Sequence, residues 1–393
     1  MAQKLTKTKI LIFLTIPFLT FLLIMEWGVR AFWEFEPNRV LCYHPVMGRS
    51  YCPDTKGYLK ENKVKMHIEI NADGLLGKAY PVNRVPGKYR IALLGDSFTS
   101  GEAVDPESKF AGIWEKNLSN KSPTGVEVIN FGVGGTGTWQ QLQMFHIKAR
   151  KYKPDLTIIS FCWCNDIGNN LDQLKSGSMN PLLDEHEVAW HEHLNVKRKN
   201  FNKWLWNNSG LYQFTRTKYN RLEHYFKRMF ISDFMKEAVL TKAVPSKAVP
   251  PKRMPPIEKK QSRAAYTKDT TSIWDDVFFF DSKGWDLTRK LIVKLKQEVE
   301  LNGGELALIH FGGMPRLDHY REFPALPLEQ FDAFLESEGI SYFNIFDLFL
   351  KIDAKLLNKN FIPNDGHFNE IGHRQFAEFS SDFLLNLINK NKV

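Results

Sequence analysis

The sequence predicts an α/β fold: a parallel sheet of about five strands with helices on both faces, preceded by one transmembrane helix. Three observations carry that expectation. From about residue 89 short apolar runs alternate with stretches of helical spacing, those runs end in glycine or in polar clusters, and one long apolar run stands alone near the N-terminus. Alternation of this kind implies parallel strands joined by crossover helices, with any site at the carboxyl ends of the strands.

The N-terminal run, Ile10 to Met25, is interrupted only by Thr15, Pro17 and Thr20. Its length is near the short end of the roughly 17–25 residues that cross a bilayer. A cleaved signal peptide and an uncleaved anchor are the competing readings. The run ends in Met25, Glu26 and Trp27 with no small-residue cleavage site, which favours the anchor. Trp27, Phe32 and Trp33 suit an aromatic belt, and Lys4, Lys7 and Lys9 are expected to stay cytoplasmic. Residues 1–30 are therefore read as a membrane anchor, with the remainder outside the cytoplasm.

Residues 31–88 hold short polar/apolar alternations such as His67 to Asn71 and read as a small β-rich cap or linker. Cys42 and Cys52 flank a loop containing proline and glycine. Spacing alone leaves a disulfide and two separate thiols both open.

The main domain, 89–393, begins with the strand Tyr89 to Leu94, closed by Gly95, and the helix Phe110 to Leu118. A second strand, Val126 to Phe131, meets the glycines between 132 and 137, and Gln140 to Ala149 is helical. Leu156 to Cys164 reads as the third strand, which would place Cys162 and Cys164 on one face as small buried hydrophobes. The helix Trp285 to Leu301 stops at Gly303 and Gly304; the strand Leu306 to His310, the helix Glu329 to Ser337, the strand Ile340 to Ile345 and the helix Glu370 to Asn389 complete the pattern. Between them lies an insertion at about 170–280. Leu211 to Phe230 has amphipathic spacing, and residues 241–263 carry prolines and charge at a density that supports no packed core.

The chain has 393 residues, 43% of them apolar, and a formal charge of +9, which invites a nucleic-acid or anionic-membrane partner. The excess is local. Residues 1–9 hold three lysines and no acid, and residues 189–268 hold eighteen Lys or Arg against five Asp or Glu, leaving the rest mildly acidic. Nothing in the motifs resembles nucleic-acid readout, so no nucleic acid is expected as partner. His186, His191 and His193 sit among acids, but their spacings match no standard metal set.

Chemistry-bearing residues gather at the strand ends. The first strand leads into Gly95, Asp96 and Ser97; the second into Asn130, Gly132, Gly134, Gly135 and Gly137; the third into Asn165 and Asp166. Asp365, Gly366 and His367 precede the last helix. Gly132, Gly134 and Gly137 also satisfy G-x-G-x-x-G, the dinucleotide fingerprint. That fingerprint needs the first strand–helix turn and an acid about twenty residues on. Here it occupies the second turn, and Lys151, Tyr152 and Lys153 stand where the acid belongs. No dinucleotide is expected.

Taken together, the four blocks resemble the SGNH (GDSL-type) hydrolase family over roughly residues 89–165 and 285–393. The resemblance implies a three-layer α/β/α sandwich with a flavodoxin-like sheet, and a serine esterase that needs no metal or cofactor. By the same resemblance Ser97 is the nucleophile, His367 its general base and Asp365 the residue that orients His367. The backbone N–H groups of Ser97 and Gly135 and the side chain of Asn165 would form the oxyanion hole. A serine hydroxyl needs a neighbouring imidazole to accept its proton, and the resulting oxyanion needs fixed donors.

Two departures stand out. Phe98 follows the Gly-Asp-Ser block where leucine is usual, and only Gly366 separates Asp365 from His367, with Asn364 in the family's usual acid position. The D-x-H spacing resembles that of some envelope polysaccharide O-acetyltransferases. The expected activity is cleavage of an O-acyl ester, with O-acetyl groups on an envelope carbohydrate as the favoured class. The alternatives are acyl transfer to a polysaccharide and a silent glycan- or partner-binding scaffold.

Overall fold

The computed structural model of the chain describes residues 7–32, 40–42, 44, 46–61, 64–175, 204–205, 208–216, 218–219, 280–313, 327–363 and 365–390. Asn364, His186, His191, His193, the 241–263 stretch and most of the basic insertion lie outside them.

Two antiparallel pairs come first: β1 (Leu41–Cys42) with β2 (Ser50–Tyr51), and β3 (Thr55–Glu61) with β4 (Val64–Ile70). The main sheet contains β5 (Tyr89–Gly95), β6 (Val126–Asn130), β7 (Leu156–Cys162), β8 (Glu305–Phe311) and β9 (Ser341–Asn344). Its order is β6-β5-β7-β8-β9, and every neighbouring pair is parallel. All seven residues of β5 and of β7 are buried, as strands covered on both faces must be. The chain leaves β5 in one direction to form β6 and returns past it to form β7. The carboxyl end of β5 is therefore the point where strand order reverses, the position that favours a site.

Two groups of helices form the outer layers. Phe110–Lys121 and Glu370–Lys390 pack together, with Trp114 Nε1 donating to Ser380 Oγ at 3.0 Å and the Phe110 and Phe376 rings 4.4 Å apart. Thr138–Ile147 and Asp166–Lys175 pack against Lys283–Leu301, where Asn170 Nδ2 donates to Thr288 Oγ1 at 2.9 Å. One buried ion pair interrupts the apolar strands. Arg90 and Glu127 are register neighbours on β5 and β6, and the guanidinium also donates to the Val82 and Tyr152 carbonyls.

Cys42 and Cys52 are joined by a disulfide that closes the loop between β1 and β2. Cys162 and Cys164 are also paired, a correction to the expectation of two unlinked buried thiols. The third strand ends at Cys162 rather than continuing to Cys164, and the turn that follows brings the two sulfurs together.

The chain divides into two compact units: residues 40–195 with 260–393, which hold both β pairs and the main sheet, and residues 1–39 with 196–259. Within the second of these, the helix Lys7–Phe32 contains a stretch, Phe13–Phe32, long and apolar enough to cross a membrane. Glu26 accepts from Ser209 Oγ and from the Gly210 and Leu211 N–H groups, so its carboxylate caps the helical residues 210–216.

Candidate active site

The turn after β5 is built by Asp96 rather than by Ser97. The fully buried Asp96 accepts from Phe98 N–H at 3.0 Å and caps the short helix Ser97–Ser100, leaving the Ser97 hydroxyl free of capping duty. Gly95 is required there, because a Cβ at that position would run into Thr99. Ser97 Oγ lies 2.7 Å from His367 Nε2, across 270 residues of sequence.

His367 sits on the loop before Glu370–Lys390. Ile362 N–H donates to the His367 carbonyl at 2.8 Å, and Phe361 bridges Phe368, which fixes the loop. Gly366 has φ +90°, a conformation glycine adopts without the Cβ penalty. The chain folds back there, and His367 Nδ1 comes 2.5 Å from Asp365 Oδ1, the same oxygen that accepts from His367 N–H at 3.1 Å. A single intervening residue therefore suffices for the carboxylate to reach the ring. Phe98 supports that ring from the other side, with centroids 4.8 Å from His367, 4.9 Å from Phe368 and 5.3 Å from Phe311.

The glycine loop after β6 is strapped to the same turn. Asn130 accepts from Gly132 N–H at 2.9 Å and donates to the Thr99 carbonyl at 2.6 Å, while Val133 N–H donates to the Gly95 carbonyl at 3.2 Å. A Cβ on Gly134 would stand 3.7 Å from Ser97 Cβ, so the loop lies against the serine. Gly135 has φ +70°. Among the described residues, neither Ser97 N–H nor Gly135 N–H donates to a protein acceptor. Asn165, after β7, is half-buried, and its side chain favours the charged form of the neighbouring Asp96 carboxyl. The structure thus brings Ser97, His367 and Asp365 into one relay, with Gly135 and Asn165 on the strand ends beside Ser97.

Two carboxyls lie beneath this surface. Burial raises Asp96, against the opposing pull of Asn165, Phe98 N–H and the His367 charge. Burial and the neighbouring Asp96 charge raise Asp166 well above the usual range, although it accepts from Cys162 N–H at 2.8 Å and Gln141 Nε2 at 3.1 Å. Ligand-type atoms of Asp96, Cys162 and Cys164 lie within 4.8 Å of one another. With the two sulfurs bonded to each other, no thiolate remains to bind a metal.

Ser97, Phe98, Glu102, Ile362, His367 and Phe368 border a cavity of about 20 Å³, which His373 also lines. Burial, helped by the Lys109 charge, pushes the His373 imidazole down to about 3. In the unfolded chain it titrates near 6.5. As pH falls from 6.5 toward 3 the unfolded state holds more proton, so this contribution to stability is complete above 6.5 and is lost on acidification. His44, pushed down to about 4 by burial, acts in the same direction. His373→Gln should flatten the loss of stability between pH 7 and 4.5, by up to about 1.4 kcal/mol per pH unit, in urea titrations of the detergent-solubilised chain.

Three residues of this neighbourhood escaped the sequence reading. Arg49 Nη1 donates to the Gly134 carbonyl at 3.2 Å, and the Tyr51 hydroxyl donates to Glu102. Both come from the β1–β2 segment, whose only sequence signal was its pair of cysteines.

No protein-family model matches the chain, and no curated protein matches it. Among solved structures it is similar to a lipase/acylhydrolase from Enterococcus faecalis, at 12% identity over 76% of this chain and 96% of that one, with a TM-score of 0.37. It is similar to a psychrotrophic esterase from Pseudoalteromonas at 10% identity, covering 76% of this chain and 98% of that one, TM-score 0.37. A member of the lipolytic protein G-D-S-L family from Veillonella parvula matches at 12% identity over 75% and 97% of the two chains, TM-score 0.35. At such scores the site's own geometry must carry any functional conclusion.

Proposed function

We propose that the chain is a membrane-anchored serine esterase of the SGNH type, with its catalytic domain on the extracytoplasmic side. The observation that carries this reading is the unbroken relay from Ser97 Oγ through His367 to Asp365, at 2.7 and 2.5 Å. Ser97 Oγ attacks the ester carbonyl while His367 Nε2 takes its proton. Asp365 holds the Nδ1–H tautomer and stabilises the imidazolium. The oxyanion is received by the unused N–H groups of Ser97 and Gly135 and by the side-chain amide of Asn165. Collapse expels the alcohol, which takes the proton from His367. A water, deprotonated in turn by His367, then releases the acid and restores Ser97.

An anchor whose lysines remain cytoplasmic puts the domain among envelope carbohydrates, which makes O-acetylated glycans the favoured substrate class. The detergent-solubilised chain should release free acetate from a chromogenic acetyl ester; no release contradicts the reading. The D-x-H spacing supports one further reading, transfer of the same acyl group to a sugar hydroxyl. An acceptor glycan that gains acetyl as free acetate declines would establish transfer.

A further inference from the structure

Gly134 C=O and Gly135 N–H belong to one peptide group. No cis peptide occurs among the described residues, so that group is planar and trans, and its oxygen and its hydrogen point in opposite directions. Whatever holds the oxygen therefore aims the hydrogen. Arg49 holds it: Nη1 donates to the Gly134 carbonyl at 3.2 Å, and the same nitrogen lies 2.8 Å from where a Gly135 Cβ would stand. The far end of the peptide, the Gly135 N–H, has no acceptor among the described residues.

We propose that Arg49 is a positioning residue for the oxyanion site, which aims and polarises the Gly135 N–H by gripping the opposite end of its peptide group. This rests on the esterase reading above. A charged donor on a carbonyl draws electron density toward the oxygen and strengthens the N–H of the same amide as a donor. The polarisation acts where the negative charge of the tetrahedral intermediate develops.

The way Arg49 is mounted agrees with that role. It stands on an 11-residue segment whose ends, Cys42 and Cys52, are joined by a disulfide, and which is further tied by pairing of Leu41 with Tyr51 and Cys42 with Ser50. His44 Nδ1 accepts from the Val46 and Met47 N–H groups inside the loop. Two residues after Arg49, the Tyr51 hydroxyl donates to Glu102, at the exit of the Ser97–Ser100 turn. One clamped loop thus touches both the oxyanion peptide and the nucleophile turn. The Arg49 side chain is exposed and makes no ion pair among the described residues, so its removal leaves no buried charge behind.

The test compares Arg49→Met and Arg49→Lys with wild type in hydrolysis of a chromogenic acetyl ester by the full chain, together with thermal unfolding. Arg49→Met should lower kcat about tenfold with KM within about twofold and an unchanged melting temperature, the size expected for one modest hydrogen bond. Arg49→Lys, which keeps a charged donor, should recover most of the loss. Breaking the clamp with Cys42→Ser and Cys52→Ser together should lower kcat similarly, and adding Arg49→Met to that pair should have little further effect. A wild-type kcat in Arg49→Met, a rise in KM alone, or a lysine variant no better than methionine overturns the proposal. Turnover that survives Ser97→Ala overturns the esterase reading instead, so the two failures are told apart.

Discussion

Ser97→Ala is expected to lower kcat for small acyl esters by roughly 10⁶, the scale on which removing the nucleophile of a serine relay acts. The hydroxyl alone makes the covalent bond, and among the described residues no other group hydrogen-bonds His367 Nε2 to replace it. What survives should come from the oxyanion donors and from binding. His367→Ala should cost about as much, and the double variant little more, because the two residues act as a unit. KM should move far less than kcat. Steady-state turnover and circular dichroism on the same preparations check both effects; a drop of only tenfold would remove Ser97 from the chemistry.

Asp365→Asn is expected to lower kcat by about 10⁴ while leaving the fold intact. One carboxylate oxygen, Oδ1, meets both the His367 backbone N–H and ring Nδ1, at 3.1 and 2.5 Å. An amide that turns its oxygen there keeps both contacts but brings no charge to stabilise the imidazolium. One that turns its NH₂ there orients a ring protonated on Nε2, which cannot take the proton from Ser97. Unfolding midpoints close to wild type, alongside a collapsed kcat, are the expected pair of results. Turnover within tenfold of wild type would show that Asp365 does not set the tautomer.

The sheet was legible because its central strands are buried on both faces. Apolar runs such as Ile91 to Leu94, and Ile158 to Phe161 broken only by Ser160, announce themselves and end at polar clusters. Ser97 and His367 were legible as residue types at strand and loop ends, although 270 positions separate them. The short spacing between Asp365 and His367 looked like a departure, and its resolution needed the positive φ of Gly366, which a sequence states only as a glycine. The pairing of Cys162 with Cys164 was missed because the apolar run suggested a strand two residues longer than the one that forms. Arg49 left no periodic or motif signal. Its role depends on a contact 85 positions away, delivered by a disulfide whose existence the sequence left open. Likewise, the cap that Glu26 places on residues 210–216 joins segments about 184 positions apart.

The most direct test of the relay is covalent. The detergent-solubilised chain is treated with a fluorophosphonate, digested and mapped by mass spectrometry. One adduct per chain on the peptide containing Ser97, formed quickly in wild type and slowly in His367→Ala, is the expected result. No adduct at Ser97, or labelling that proceeds equally fast without His367, would contradict an activated serine at the end of β5.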